Sequence, residues 1–205
     1  ITGGPEESAT QVGVLTHLPV TGVWRHAPPS TDRPLRNVLE IALRVGGEEL
    51  HLFGNHWKSR LGEGGAALRR GTAQMVRARI EELLAEEPSA RIILAGDFNC
   101  EPLACDVAPQ SPLYLTGKGE EGCVTPPTLP VTTLQTKARE SHGIGALYTP
   151  WGSTGSGGSY RFRGSWEQID AFYLSGTLLE PGGITYEEFY VHPWAKLRDR
   201  AGEPL

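Results

Sequence analysis

The sequence predicts an α/β domain, and three stretches carry that reading: a strand hairpin over residues 38–56, a helix over 66–87, and a short apolar strand over 91–95 followed by an acid. From Val38 to Val45 apolar and polar residues alternate, with Leu39, Ile41, Leu43 and Val45 on one face and Glu40 and Arg44 on the other. That is the pattern of a half-buried strand. Gly46-Gly47 supplies the positive φ angles of a tight turn, and residues 49–56 return as the partner strand with Leu50, Leu52 and His56 on one face.

A glycine-rich loop at 62–65 precedes the helix, in which Ala73, Val76, Ile80, Leu83 and Leu84 recur at helical spacing before Pro88 stops it. Residues 91–95, RIILA, form the kind of run that makes a strand buried on both faces, with Gly96-Asp97 directly after it. Weaker signals flank this centre. Residues 11–15 suggest a short strand, 24–37 a polar loop with prolines, and 160–163 and 168–174 two more strands, the second with Asp170, Phe172 and Leu174 on one face. Residues 103–158 show little periodicity and many Pro, Gly and Thr, so they are read as a loop-rich surface insertion within one domain spanning 1–205.

Composition narrows the function classes. With 205 residues, 39% hydrophobic, 21% charged and five Trp, the chain has globular composition and room for one sizeable core. No apolar run approaches the length of a membrane span. The three cysteines, Cys100, Cys105 and Cys123, have no zinc-site spacing, and a Cys100–Cys105 bridge stays open. A formal net charge of −5 gives no overall bias toward nucleic acid, so any polyanion site must be local. Lys58, Arg60, Arg69, Arg70, Arg77 and Arg79 surround a single acid, Glu63; this is either such a site or a solvated helix face. The first residue is Ile1, so the natural amino terminus is expected elsewhere, and localisation cannot be read; nor can a protein partner.

Chemistry-bearing residues gather at strand ends, where layered α/β folds place their sites. Asp97 and Asn99, one residue apart in extended backbone, would project together with Phe98 turned inward. A carboxylate beside a neutral amide suits phosphodiester hydrolysis, the acid holding or deprotonating water and the amide donating to phosphate; a simple turn is the alternative. His56 ends its strand next to Asn55, Lys58 and Ser59, groups that can bind phosphate oxygen, although taken alone it reads more readily as a structural histidine. Asp170 lies between Ile169 and Ala171, and an ionised carboxylate there either orients a histidine or cation or stays solvated. Arg69 falls within the helix's apolar stripe and is expected to reach the phosphate site near His56, or else to snorkel.

The segments GNHWKSR (54–60), ILAGDFNCEP (93–102) and YRFRGSWEQIDAFYLS (160–175) resemble, in order and spacing, the endonuclease/exonuclease/phosphatase superfamily of deoxyribonuclease I-like proteins. QVGVLTHLPV (11–20) and RPLRNVLEIAL (33–43) add to the resemblance. It implies a four-layer α/β/β/α sandwich of two mixed sheets, and a metal-dependent phosphoester hydrolase using Mg²⁺ or Mn²⁺. A nuclease is favoured because the NHWKSR and GSWEQID wording is closest to bacterial nuclease-like members. A phosphatase, a phospholipase or a non-catalytic phosphate-binding remnant stays open.

By the same resemblance, Asp97 activates water and touches the metal, Asn99 and His56 bind the scissile phosphate, and Asp170 holds a catalytic histidine. Asn55, Lys58, Ser59 and Arg69 are the expected substrate contacts. The family's Ser-Asp-His triplet does not occur in the sequence, His192 stands in a different context, and Glu6 and Glu7 are poor matches for the family's metal-binding glutamate. A partial domain is therefore expected.

Overall fold

The computed structural model describes residues 10–30, 34–61, 64–100, 131–133, 147–150 and 158–189. Nine strands and one α-helix occur among them: β1 (Val20–His26), β2 (Val38–Val45), β3 (Glu48–His56), α1 (Gly65–Glu86), β4 (Arg91–Asp97), β5 (Val131–Thr133), β6 (Leu147–Thr149), β7 (Tyr160–Phe162), β8 (Ser165–Glu167) and β9 (Asp170–Ser175). Seven strands form one mixed sheet in the order β1-β2-β3-β4-β9-β6-β5, and β7-β8 form a second, two-stranded sheet.

The centre follows from local pattern. Gly46 and Gly47, at φ 57° and 92°, make the β2–β3 turn. The helix then carries the chain across to β4, which pairs parallel with β3 from Leu50↔Arg91 to His56↔Asp97; a parallel pair requires such a crossover. Helix α1 lays Ala73, Val76, Ile80, Leu83 and Leu84 against Phe53, Trp57, Ile92, Leu94 and Tyr173, which form the main core. On the other face Leu39, Ile41 and Leu43 make a second cluster with Val12, Val14, Leu50 and Leu52. The α/β architecture with a mixed sheet is as expected; of the four-layer sandwich, the described residues comprise the helix, the large sheet and the small second sheet.

Several local readings need correction. β2 is buried on both faces, because α1 covers the Glu40 side and Glu40 is fully enclosed. β4 encloses Ile92 and Leu94 but leaves Ile93 and Ala95 only partly covered. Residues 11–15 make no ladder beyond an isolated bridge at Gly13, although Val12 and Val14 do pack on the sheet. β1 runs into the stretch read as a polar loop from residue 24: it is an edge strand with mostly exposed side chains and a register shift between Val20 and Gly22, so no alternation marks it. The strand expected at 160–163 is β7, ending at Phe162, and it pairs in a hairpin with an unanticipated β8, turned by Arg163 and Gly164 at positive φ. The segment 103–158 is not all surface insertion, since β5 and β6 join the main sheet beside β9; three-residue strands are too short to show a period. Cys100 is a buried thiol, while Cys105, Cys123, Glu6, Glu7, Glu63 and His192 lie outside the described residues.

Candidate active site

Three strand ends meet at one edge of the sheet. β3 ends on His56, β4 ends on Asp97, and β9 begins at Asp170; His56 is registered with Asp97, and Asp97 with Asp170. Registered residues on adjacent strands project to the same face, so the three side chains form a row on the face away from α1. His56 Nε2 stands 3.7 Å from Asp97 Oδ2, with both side chains about a third exposed.

Backbone hydrogen bonds lock the row. Trp57 N–H donates to Asp97 O at 2.9 Å, and Phe98 N–H to Ile169 O at 2.8 Å. Gly96 sits at φ 133°, and a Cβ there would strike the Asn55 carbonyl. Only glycine lets β3 and β4 approach this closely before Asp97. Gly96→Ala is therefore expected to destabilise the fold by about 2 kcal/mol or more, the order of cost of a residue held in a sparsely populated conformation against a clash. Urea unfolding would check it.

Asp97 and Asn99 come together differently from the extended pair expected. Asn99 is left-handed, at φ 52°. Its N–H donates to Asp97 Oδ1 at 2.7 Å and its Nδ2 to Trp57 O at 3.1 Å. The turn and the juxtaposition are thus one structure: asparagine tolerates the left-handed conformation, and it keeps one amide hydrogen beyond the Trp57 contact. Phe98 points into the core as expected, edge-on to Trp57 and Tyr173.

The residues around His56 divide. Asn55 is not in the row: adjacent strand residues face opposite ways, and Asn55 is buried on the helix side, donating to Phe53 O at 2.9 Å and accepting from Trp57 Nε1 at 2.9 Å. Lys58 lines a cleft of about 240 Å³ together with His56 and Trp57. Its Nζ caps the carbonyls of Ser59 and Leu61, while Ser59 Oγ accepts from Leu61 N–H at 3.1 Å. Arg69 is 4% exposed and braces this turn from beneath, donating to Lys58 O at 3.0 Å; it is not among the cleft's lining residues. Of the other cations in the 58–79 run, Arg60 pairs with Glu167, Arg77 with Glu81, and Arg79 with Glu40 and Glu82.

Residues 23–114 match the model of the Endonuclease/Exonuclease/phosphatase family. Among solved structures, truncated Caenorhabditis elegans TDP2 aligns with TM-score 0.50 and 15% identity, covering 78% of this chain and 55% of that one. The chain has the fold of the endonuclease/exonuclease/phosphatase superfamily. A humanized D. rerio TDP2 carrying 14 mutations (TM-score 0.45, 17% identity, 80% and 51% covered) and the human Nocturnin catalytic domain with bound sulfate anion (0.43, 14%, 77% and 48%) are also similar. The chain spans about half the length of these solved chains. No match is found among curated proteins.

Within this superfamily fold, the sequence reading missed Arg36. It stands just before β2, on residues read as loop, and its Nε donates to Thr10 Oγ1 at 2.8 Å while Nη1 reaches the carbonyls of His56 and Trp57. Its position in RPLRNVLEIAL was the available signal.

Charges in the row act on one another. His56 is pushed below its ordinary value, first by burial and then by the Arg36 charge, with Asp97 and Asp170 opposing. Asp97 is pushed up, first by burial and also by Asp170, against the Asn99 hydrogen bond, His56 and Arg36. Removing the Asp170 carboxylate withdraws support from imidazolium, so Asp170→Asn is expected to lower the His56 pKa. Arg36→Gln removes a repelling cation and is expected to raise it. NMR titration of the His56 imidazole in the two variants checks both signs.

Among the described residues, no group of three His, Cys, Asp or Glu side chains could hold a metal ion. Asp97 and Asp170, as registered carboxylates, are the donor chemistry of a hard divalent cation that keeps most of its waters, and not of a closed protein cage.

Proposed function

We propose that this chain is the phosphoester-cleaving part of a metal-dependent nuclease, acting by attack of water on a phosphodiester. The row of His56, Asp97 and Asp170 on three adjacent strand ends carries this reading. Asp97, its carboxyl raised by burial, orients the attacking water and takes its proton. Asn99 offers its remaining amide hydrogen to the phosphate, and His56 hydrogen-bonds a phosphate oxygen or the leaving group. Asp170 favours the imidazolium of His56 and the protonated form of Asp97, which sets the charge balance of the pair. Asp97 is also the residue that would hold Mg²⁺ or Mn²⁺, whose chemistry when bound is neutralisation of charge on phosphate oxygens. Lys58 lines the cleft beside His56, Ser59 holds the turn that follows it by accepting from Leu61 N–H, and Arg69 braces that turn through the Lys58 carbonyl.

The test is hydrolysis of plasmid DNA, a single-stranded oligonucleotide, a generic phosphodiester and a phosphomonoester, each with Mg²⁺ and with chelator. The nuclease reading expects chelator-sensitive cleavage of nucleic acid, with affinity falling steeply as salt rises. Cleavage of the monoester alone would move the assignment to a phosphatase. Tight binding without turnover would make the chain a phosphate-binding module.

A further inference from the structure

We infer that the cleft between Arg36 and Lys58, on the far side of His56 from Asp97, is a second anion subsite that takes the phosphate group flanking the scissile one. The flanking position rests on the catalytic reading of the His56 row; the anion site itself does not.

The cleft shares one wall with that row and no more. Arg36, His56, Trp57, Lys58 and Thr10 line it, whereas Asp97, Asn99 and Asp170 do not. Its volume of about 240 Å³ is several times the roughly 30 Å³ of a liquid water, enough for a phosphate group and the first atoms of its ester.

Among the described residues no ion pair neutralises the charge facing this space, in contrast to several other arginines of the fold. Arg44, Arg60, Arg77, Arg79 and Arg91 each meet a glutamate. Among the described residues Arg36 meets no carboxylate: its hydrogen bonds go to a threonine hydroxyl at 2.8 Å and to two backbone carbonyls at 3.5 Å, the outer limit of such a bond. Lys58 behaves alike, since among the described residues its Nζ reaches only the carbonyls of Ser59 and Leu61. Carbonyls orient a cation without cancelling its charge. A half-buried guanidinium with a free edge and an ammonium across the same cleft are the donors that recognise phosphate, the first in bidentate geometry and the second as a point charge. A substrate carrying two neighbouring phosphates would span both sites, with one phosphate at the His56 row and the next between Arg36 and Lys58.

The experiment reads binding, so it does not depend on turnover. Inorganic phosphate is titrated into the chain without divalent metal, followed by the His56 imidazole and Trp57 indole NMR signals, in wild type, Arg36→Ala, Arg36→Lys and Asp97→Asn proteins. A thermal melt of each variant establishes folding. Saturable binding is expected, weakened about tenfold or more in Arg36→Ala, as for loss of a charge-assisted pair. Arg36→Lys should restore part of it, and Asp97→Asn should leave it intact or tighten it.

A second arm compares a dinucleotide with its 5′-phosphorylated form. The added phosphate should tighten binding in wild type and not in Arg36→Ala. Phosphate binding indifferent to both Arg36 variants, or abolished by Asp97→Asn, would overturn the subsite. Arg36-dependent binding in a protein that cleaves nothing would keep the subsite and remove the nuclease reading; cleavage with no Arg36 effect on binding would do the reverse.

Discussion

Asp97→Asn is expected to lower kcat on a phosphodiester by about 10²- to 10⁴-fold, the range for loss of a positioned general base, with phosphate binding at the Arg36 cleft retained. The substitution isolates chemistry from folding. Asparagine keeps the Oδ1 acceptor that the Asn99 N–H uses at 2.7 Å, so the turn beyond β4 survives, while the proton-accepting carboxylate is gone. His56→Ala should fall within the same range, because its Nε2 lies 3.7 Å from Asp97 Oδ2 and the two groups form one unit. The pH profile follows from the raised Asp97 carboxyl. Its base form is lost as pH falls through a value above the ordinary carboxylate range, so the acid limb of kcat should lie higher than for an exposed aspartate. Turnover in the Asp97→Asn protein equal to wild type would remove Asp97 from the mechanism.

What the sequence disclosed about this site depended on the length scale of each signal. β2, its two-glycine turn and the stripe of α1 are repeats several residues long, each dictated by one neighbour, and they lie where periodicity puts them. His56, Asp97 and Asp170 were readable as strand-end polar groups. Their union in one row depends on β4 pairing parallel with β3 and antiparallel with β9, a register that no local pattern encodes. Asn55 shows the limit from the other side: its place beside His56 in sequence suggested shared function, yet strand alternation sends it into the core. Arg69 lies in the apolar stripe as the helical wheel indicates, but what it meets there is the Lys58 carbonyl, supplied by the turn before the helix. Arg36 and Glu40 were missed for a related reason. Each acquires its partners only when segments far apart in sequence close around it.

Glu40→Ala is expected to cost about 3 kcal/mol of folding stability, the lower part of the range for breaking a buried charge pair. Glu40 is fully enclosed in β2 and is gripped from three elements: His26 of β1 at 2.7 Å, His51 of β3 at 3.0 Å, and Arg79 of α1 through Nε at 2.8 Å and Nη2 at 3.0 Å. Trp24 stacks on His51 and receives the Arg79 guanidinium 5.5 Å from its ring centroid, so the alanine protein loses the centre of a packed cluster. The lower figure applies because His26 and Arg79 are each about a fifth exposed and can recover some hydration.

Burial alone would raise the Glu40 carboxyl, but the hydrogen bonds from His26, His51 and Arg79 and the Arg79 charge outweigh it and hold the group well below the usual carboxylate range. A folded-state pKa below the unfolded value of about 4.3 gives stability that is complete above that value and lost as pH falls toward the folded one. Urea unfolding at pH 7 and at steps down to acid should thus show the wild-type advantage over Glu40→Ala shrinking below about pH 4. Adding Arg79→Met to Glu40→Ala should recover part of the loss, since the stranded guanidinium is a component of the cost. Equal stability of Glu40→Ala and wild type at pH 7 would mean that the cluster contributes no more than the water it displaced.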